Sequence, residues 1–168
     1  GNMLHKIFKS IDQVIKFDTA KAHCDIPCGI YDPHHAQLGA LTVIRMIDLM
    51  KGLEGEHPEK DANWHNSMSR YIAVKEEHAE MVKHEVRVIW GDFMKPEHAE
   101  KFPELLPLVD KIMKLGSKAR QTADRQMALD LLTAVNRFAE IFWEIKGIPT
   151  KKAKAPYAPA EEVVYPVL

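Results

Sequence analysis

Apolar side chains recur at three- and four-residue steps along most of this chain, the spacing that gathers them on one face of an α-helix. Leu4, Ile7, Phe8, Ile11, Val14 and Ile15 make the first stripe, with Lys6, Lys9, Asp12 and Lys16 on the other face. Residues 23–31 break the period, because Pro27 removes a backbone donor and Gly29 admits unusual dihedrals. Asp32-Pro33 then signals a helix start, with Asp32 as N-cap and Pro33 at the first helical position. Ala40, Val43, Ile44, Ile47 and Met50 form the stripe of that helix, and Gly52 and Gly55 are expected to end it.

A second, long helix is expected from about Asn63 to Trp90. Its buried face is broad: Ile72, Ala79, Val82, Val86 and Ile89 make one stripe, and Tyr71, Val74, His78, Met81 and Val88 a neighbouring one. Pro96, Pro103 and Pro107 punctuate the next stretch, where Leu105, Leu108, Val109 and Ile112 mark a third helix with Gly116 as its expected C-cap. The last helix spans about Thr122 to Lys146, with the near-heptad seam Ala128, Leu131, Val135, Phe138, Phe142 and Ile145, and Gly147 and Pro149 stop it. No strand pattern competes. The expected fold is all-α, an antiparallel up-and-down four-helix bundle with a leader helix before it and an extended tail after it. Three parts follow: a leader over 1–22, a loop and bundle over 23–147, and a tail over 148–168. Pro149, Pro156, Pro159 and Pro166 deny the tail a helical period, so it is expected to be flexible or an extended arm laid on a neighbour.

A length of 168 residues suits one domain with a core of its own. The formal net charge of −1 removes any whole-chain bias toward nucleic acid or an anionic membrane, and neither is expected as a partner. No apolar stretch approaches the ~20 residues that span a bilayer. Charges interrupt the leader stripe too often for a secretory signal, although Ala20-Lys21-Ala22 has the small-x-small form of a cleavage site. Met3 is the expected natural start, with Gly1 ahead of it. Cytoplasmic localisation is expected, and the small-residue ending of the leader leaves export open.

The chemistry concentrates in one place. The two cysteines, Cys24 and Cys28, stand four positions apart, too close for a disulfide framework and too close to constrain the unfolded chain much. His23 precedes the first. Soft thiolates with nitrogen donors favour late first-row metals. A zinc site would want four side-chain ligands from two separated pairs, and a thioredoxin-like motif a Cys-x-x-Cys on a βαβ background. A di-iron bundle would carry Glu-x-x-His, whereas Lys75, Met81 and Lys95 stand three residues before His78, His84 and His98. Backbone donors can complete a square-planar site that suits nickel(II) or copper(II). Cleavage between Ala22 and His23 would free the His23 amine. That amine, the deprotonated Cys24 amide and the two thiolates would make a planar N2S2 set, with the His23 ring approaching axially. From the residues alone, a metal or redox role stands beside a simple disulfide or inert thiols. His34 and His35 read as solvated surface, and Glu77, Glu80 and His84 as a polar helix face with i,i+4 pairing.

The segment His23-Cys24-Asp25-Ile26-Pro27-Cys28-Gly29-Ile30-Tyr31-Asp32-Pro33 closely resembles the N-terminal hook of the nickel superoxide dismutase family. The likeness continues through Lys75-Glu76-Glu77, Val88 to Pro96, Lys101 to Leu105 and Ile141 to Glu144, and so covers about 23–147. It implies a four-helix bundle that assembles as a hexamer, a nickel cofactor, and disproportionation of superoxide to oxygen and hydrogen peroxide. It implies a leader removed by a processing peptidase, so that a chain with its leader attached is inactive. It implies His23, Cys24 and Cys28 as nickel ligands, Asp25 holding the hook through hydrogen bonds, Tyr31 gating substrate and ordering water, and a cis Ile26–Pro27 bond. Some relatives orient the axial imidazole with a glutamate and an arginine; this chain has Gly39 and His78 at those positions, and Phe93 where a second tyrosine is common. His78 is read as inheriting the orienting role, with a histidine satisfied by a backbone carbonyl as the alternative. Nickel or copper carriage without turnover, and a structural bundle with a disulfide, are the rival functions.

Overall fold

The computed structural model of the chain describes residues 28–56 and 59–168. They divide into an N-terminal unit ending at Ile30 and a second unit from Tyr31 to Leu168. The leader stripe and residues 23–27 lie outside the described residues.

The second unit is built on four long helices: α1 (His34–Glu56), α2 (Ala62–Val88), α4 (Leu105–Gln121) and α5 (Arg125–Ile145), with the short α3 (Pro96–Lys101) between α2 and α4. Helix α1 packs on α2, α2 on α4, α4 on α5, and α5 returns to α1. Side-chain pairs fix the antiparallel sense. Asp48 and Gln37 of α1 bond Arg125 and Asn136 of α5, in that reversed order. Lys75 and Lys83 of α2 bond the Ala119 carbonyl and the Ser117 hydroxyl of α4. The four stripes meet in a core that includes Ile44, Ile47, Val82, Val86, Ile112, Leu131, Phe138 and Phe142, all fully buried. The helix stripes read from the sequence supply most of it.

Helix starts follow the side chains that satisfy the orphan N–H groups. Asp32 Oδ1 accepts from His34 N at 2.8 Å, Asp61 Oδ1 from Trp64 N at 2.8 Å, and Asp124 Oδ1 from Gln126 N at 2.9 Å. The last helix therefore begins at Arg125, three residues after the expected Thr122. Gly147, at φ +71°, follows its end as expected.

Several expectations are corrected. Helix α1 runs through Gly52 and Gly55 to Glu56. Gly116 lies inside α4 rather than capping it, since the absence of a Cβ there makes room for the Lys83 side chain. The second helix does not continue as α-helix to Trp90; at Ile89 it widens into one π-helical turn, Ile89–Phe93. His34 is half-buried, its ring against Tyr165, and is no freely solvated residue. The tail carries two strands rather than none. Strands β1 (Thr150–Lys154) and β2 (Glu162–Pro166) pair antiparallel with Thr150 opposite Pro166 and Lys154 opposite Glu162. The hairpin packs on α5 of its own chain. Val163 and Val164 are each 1% exposed. Two adjacent buried residues produce no period-two signal, which is why the sequence pattern hid this strand.

Candidate metal centre

Of the expected ligands, Cys28 is described, and His23 and Cys24 lie outside the described residues, as do Asp25 and the Ile26–Pro27 bond. Cys28 is exposed, and Ile30 N donates to its Sγ at 3.4 Å. Gly29 between them sits at φ +70°, a left-handed conformation that a side chain would strain. The turn thus presents the Cys28 sulfur with a backbone N–H directed at it. Among the described residues no group of three or more His, Cys, Asp or Glu side chains could hold a metal. The donor chemistry fits a late first-row ion: two thiolates, one imidazole and backbone nitrogen, with no competing oxygen-rich cluster among the described residues.

Tyr31 opens the second unit, one residue before the cap of α1. It is half-buried, and its ring lies 5.6 Å from that of Phe93. The π-turn carries Phe93 to this place. The Phe93 ring also meets Phe142 at 4.9 Å and stacks on His98 at 5.9 Å. The Lys146 ammonium stands 5.1 Å from the centre of the Phe93 ring, so a cation is held one ring away from Tyr31. Sequence reasoning missed Lys146. Its only signal was a basic residue at the end of a helix, which is ordinary.

The two departures at Gly39 and His78 prove to face each other across the α1–α2 contact. A Cβ at Gly39 would lie 3.2 Å from the His78 carbonyl oxygen and 2.8 Å from Val82 Cγ2. The helices approach too closely for a glutamate at position 39. His78 is half-buried, with Nδ1 2.8 Å from Val74 O on its own helix. A carbonyl only accepts, so Nδ1 carries the hydrogen, and Nε2 is the acceptor nitrogen in the neutral ring. Glu80 is not limited to pairing along its own face. It binds Arg87 at 2.8 Å and Arg120 of α4 at 3.0 Å.

The family model described as nickel-containing superoxide dismutase matches residues 18–146. The chain belongs to the nickel-containing superoxide dismutase family. Within that family it is 39% identical over 131 residues to "Superoxide dismutase [Ni]" of Streptomyces coelicolor, a match that covers 76% of this chain and 91% of the relative. The protein of the same description from Streptomyces seoulensis is 37% identical over 128 residues, covering 74% of this chain and 88% of the relative. Among solved structures, native nickel superoxide dismutase superposes with a TM-score of 0.64 at 37% identity, covering 74% of this chain and 99% of that one. An apo structure of nickel superoxide dismutase superposes at 0.62 with 34% identity, covering 71% and 99%. The family match begins before the hook and ends at the last turn of α5, so the β-hairpin lies beyond it.

Proposed function

We propose that this protein disproportionates superoxide to oxygen and hydrogen peroxide at a nickel site formed once the chain is cut between Ala22 and His23. The observation that carries the reading is the Cys28 sulfur, exposed at the Gly29 turn and lying inside the span that matches the family. His23, Cys24 and Cys28 would hold the metal, through the His23 amine and ring, the Cys24 amide and both thiolates. Bound nickel would supply the one-electron redox chemistry that the disproportionation of superoxide requires.

The chain's own groups do the rest. Asp25 holds the hook through hydrogen bonds, and Tyr31 orders water and admits substrate. With Phe93 carrying no hydroxyl, Tyr31 is the sole phenol of this ring pair. Lys146 adds a positive charge near Tyr31, which favours approach of an anion. His78 is the group proposed to orient the ring of His23. Cleavage is required because an α-amine tied up in a peptide bond cannot ligate. The working assembly is a hexamer formed with other copies of the chain.

The test pairs protein beginning at His23 with protein retaining the leader, each given nickel and assayed for superoxide disproportionation, with Cys28→Ser as a third sample. Activity confined to the cleaved form, and lost in Cys28→Ser, is the expected result. Nickel binding without turnover in the cleaved form would instead make the protein a carrier, and activity with the leader attached would overturn the role of the free amine.

A further inference from the structure

The β-hairpin follows the last residue of the family match, and its second strand is bonded to two helices at once. Gln37 Nε2 in the first turn of α1 donates to Val164 O at 2.9 Å and to Asn136 Oδ1 of α5 at 3.0 Å. Asn136 in turn donates from Nδ2 to Glu162 O at 2.8 Å, and its Oδ1 accepts from Val164 N at 3.3 Å. Gln37 is 1% exposed and Asn136 8%, so these bonds are made away from water. One residue further along β2, the Tyr165 ring meets that of His34 at 6.4 Å. The other end of the strand is moored by Arg125, which binds Glu161 at 2.9 Å and Asp48, eleven residues along α1 from Gln37, at 2.7 Å. Strand β2 therefore meets the first turn of α1 directly at Gln37 and His34, and is linked to Asp48 through Arg125.

A first helical turn is the part of a helix most prone to fray, because its N–H groups lack intrahelical partners. This turn bears an unusual burden. Its cap, Asp32, follows Tyr31 directly, and the hook joins the bundle through that stretch. A metal centre tolerates only small errors in the placement of the groups around it. We propose that the C-terminal hairpin is a strap that fixes the first turn of α1, and with it Tyr31 and the point from which the metal loop departs. Gln37 and Asn136 are positioning residues that act through β2. The proposal rests on the metal-centre reading above, and it assigns a role to a segment that the family match does not reach.

The test uses the leader-free, nickel-loaded protein and compares Asn136→Leu, which removes the Asn136 bonds to Gln37 and β2 and leaves the Gln37–Val164 hydrogen bond between β2 and the first turn, with Arg125→Met, which unties the far end. Both should lower the melting temperature. Asn136→Leu alone should speed nickel release to a chelator by about tenfold, the change expected when roughly one hydrogen bond's worth of positioning is lost. It should also broaden the nitrogen splitting in the electron paramagnetic resonance spectrum, while Arg125→Met keeps the wild-type rate and spectrum. If Asn136→Leu does not fold, Tyr165→Leu makes the same comparison through the His34 contact. Equal release rates and identical spectra in both variants would reduce the hairpin to a stability element and overturn the proposal. If leader-free wild-type protein binds no nickel, the metal-centre reading fails instead. Amide hydrogen exchange at residues 34–37 then decides the strap alone: faster exchange in Asn136→Leu than in Arg125→Met supports it, and equal exchange refutes it.

Discussion

Replacing Gly39 and Gly116 by alanine, one at a time, makes the same chemical change at two buried helical glycines and should move stability in opposite directions. In a helix interior alanine is favoured over glycine by about 1 kcal/mol, so either change gains that much before packing is counted. At Gly116 the new Cβ would meet Lys83 Cγ at 2.7 Å and Cδ at 3.0 Å, the stem of a flexible side chain, with the nearest backbone atom 3.6 Å away. Swinging that stem aside puts at stake the Lys83–Ser117 hydrogen bond, worth about 1 kcal/mol, and the part-exposed Lys83–Glu80 ion pair, worth little. Gly116→Ala should therefore be neutral to slightly stabilising. At Gly39 the Cβ would lie 2.8 Å from Val82 Cγ2 and 3.2 Å from the His78 carbonyl oxygen. Val82 is fully buried and stiff at χ1, and the carbonyl belongs to the α2 backbone, so neither can give way cheaply. Overpacking of this kind costs about 1–3 kcal/mol, and its upper part applies where both neighbours are rigid, leaving Gly39→Ala about 1–2 kcal/mol less stable than wild type. Equilibrium urea unfolding followed by circular dichroism, at one protomer concentration, should separate the two midpoints by on the order of 0.5–1 M. A Gly39→Ala protein as stable as Gly116→Ala would refute the claim that helix proximity excludes a side chain from position 39.

Two further outcomes follow from the polar groups between helices. Lys75, 3% exposed, donates to the carbonyls of Ala119 and Arg120 in the last turn of α4 at 2.5 and 2.8 Å, and burial holds its pKa below the usual lysine value. Lys75→Met should lose about 1–3 kcal/mol by leaving those carbonyls unpaired, measured by thermal or urea unfolding, and wild-type stability in that variant would show that the buried charge offsets its own hydrogen bonds. The Arg87 hydrogen bond, with Lys83, Arg87 and Arg120 adding their charges, holds the Glu80 carboxyl below its ordinary value of 4.5. The resulting stabilisation is complete above that value and is lost as pH falls through the depressed pKa. Glu80→Gln should flatten the acid limb of a stability–pH curve below about pH 4.5, by no more than the ~0.2–1 kcal/mol of an exposed ion pair, and an unaltered limb would assign it to other carboxylates.

The sequence by itself determined the four long helices, because a stripe at three- and four-residue spacing is a local property, and most of each stripe became the buried face of one helix, Ile72 being an exception left exposed. It also located the candidate chemistry, since His23, Cys24 and Cys28 lie within six consecutive positions and Asp32-Pro33 sets where the helix after them begins. Gln37 and Asn136 carried a legible but unread signal: polar side chains at core-facing positions of two helices ask for a polar element docked between them. Only the tertiary structure decided what that element is, because β2 gains its order from hydrogen bonds to α1 and α5 that no local pattern encodes. It alone separated Gly39 from Gly116, which look alike in sequence, since the difference is whether a stiff valine and a backbone carbonyl or a pliant lysine lies opposite. It also turned His34 inward and set a cation beside Tyr31 through the ring of Phe93. Periodicity reports which face of a helix is buried; what lies against that face, and how closely, depends on chain segments tens of residues away.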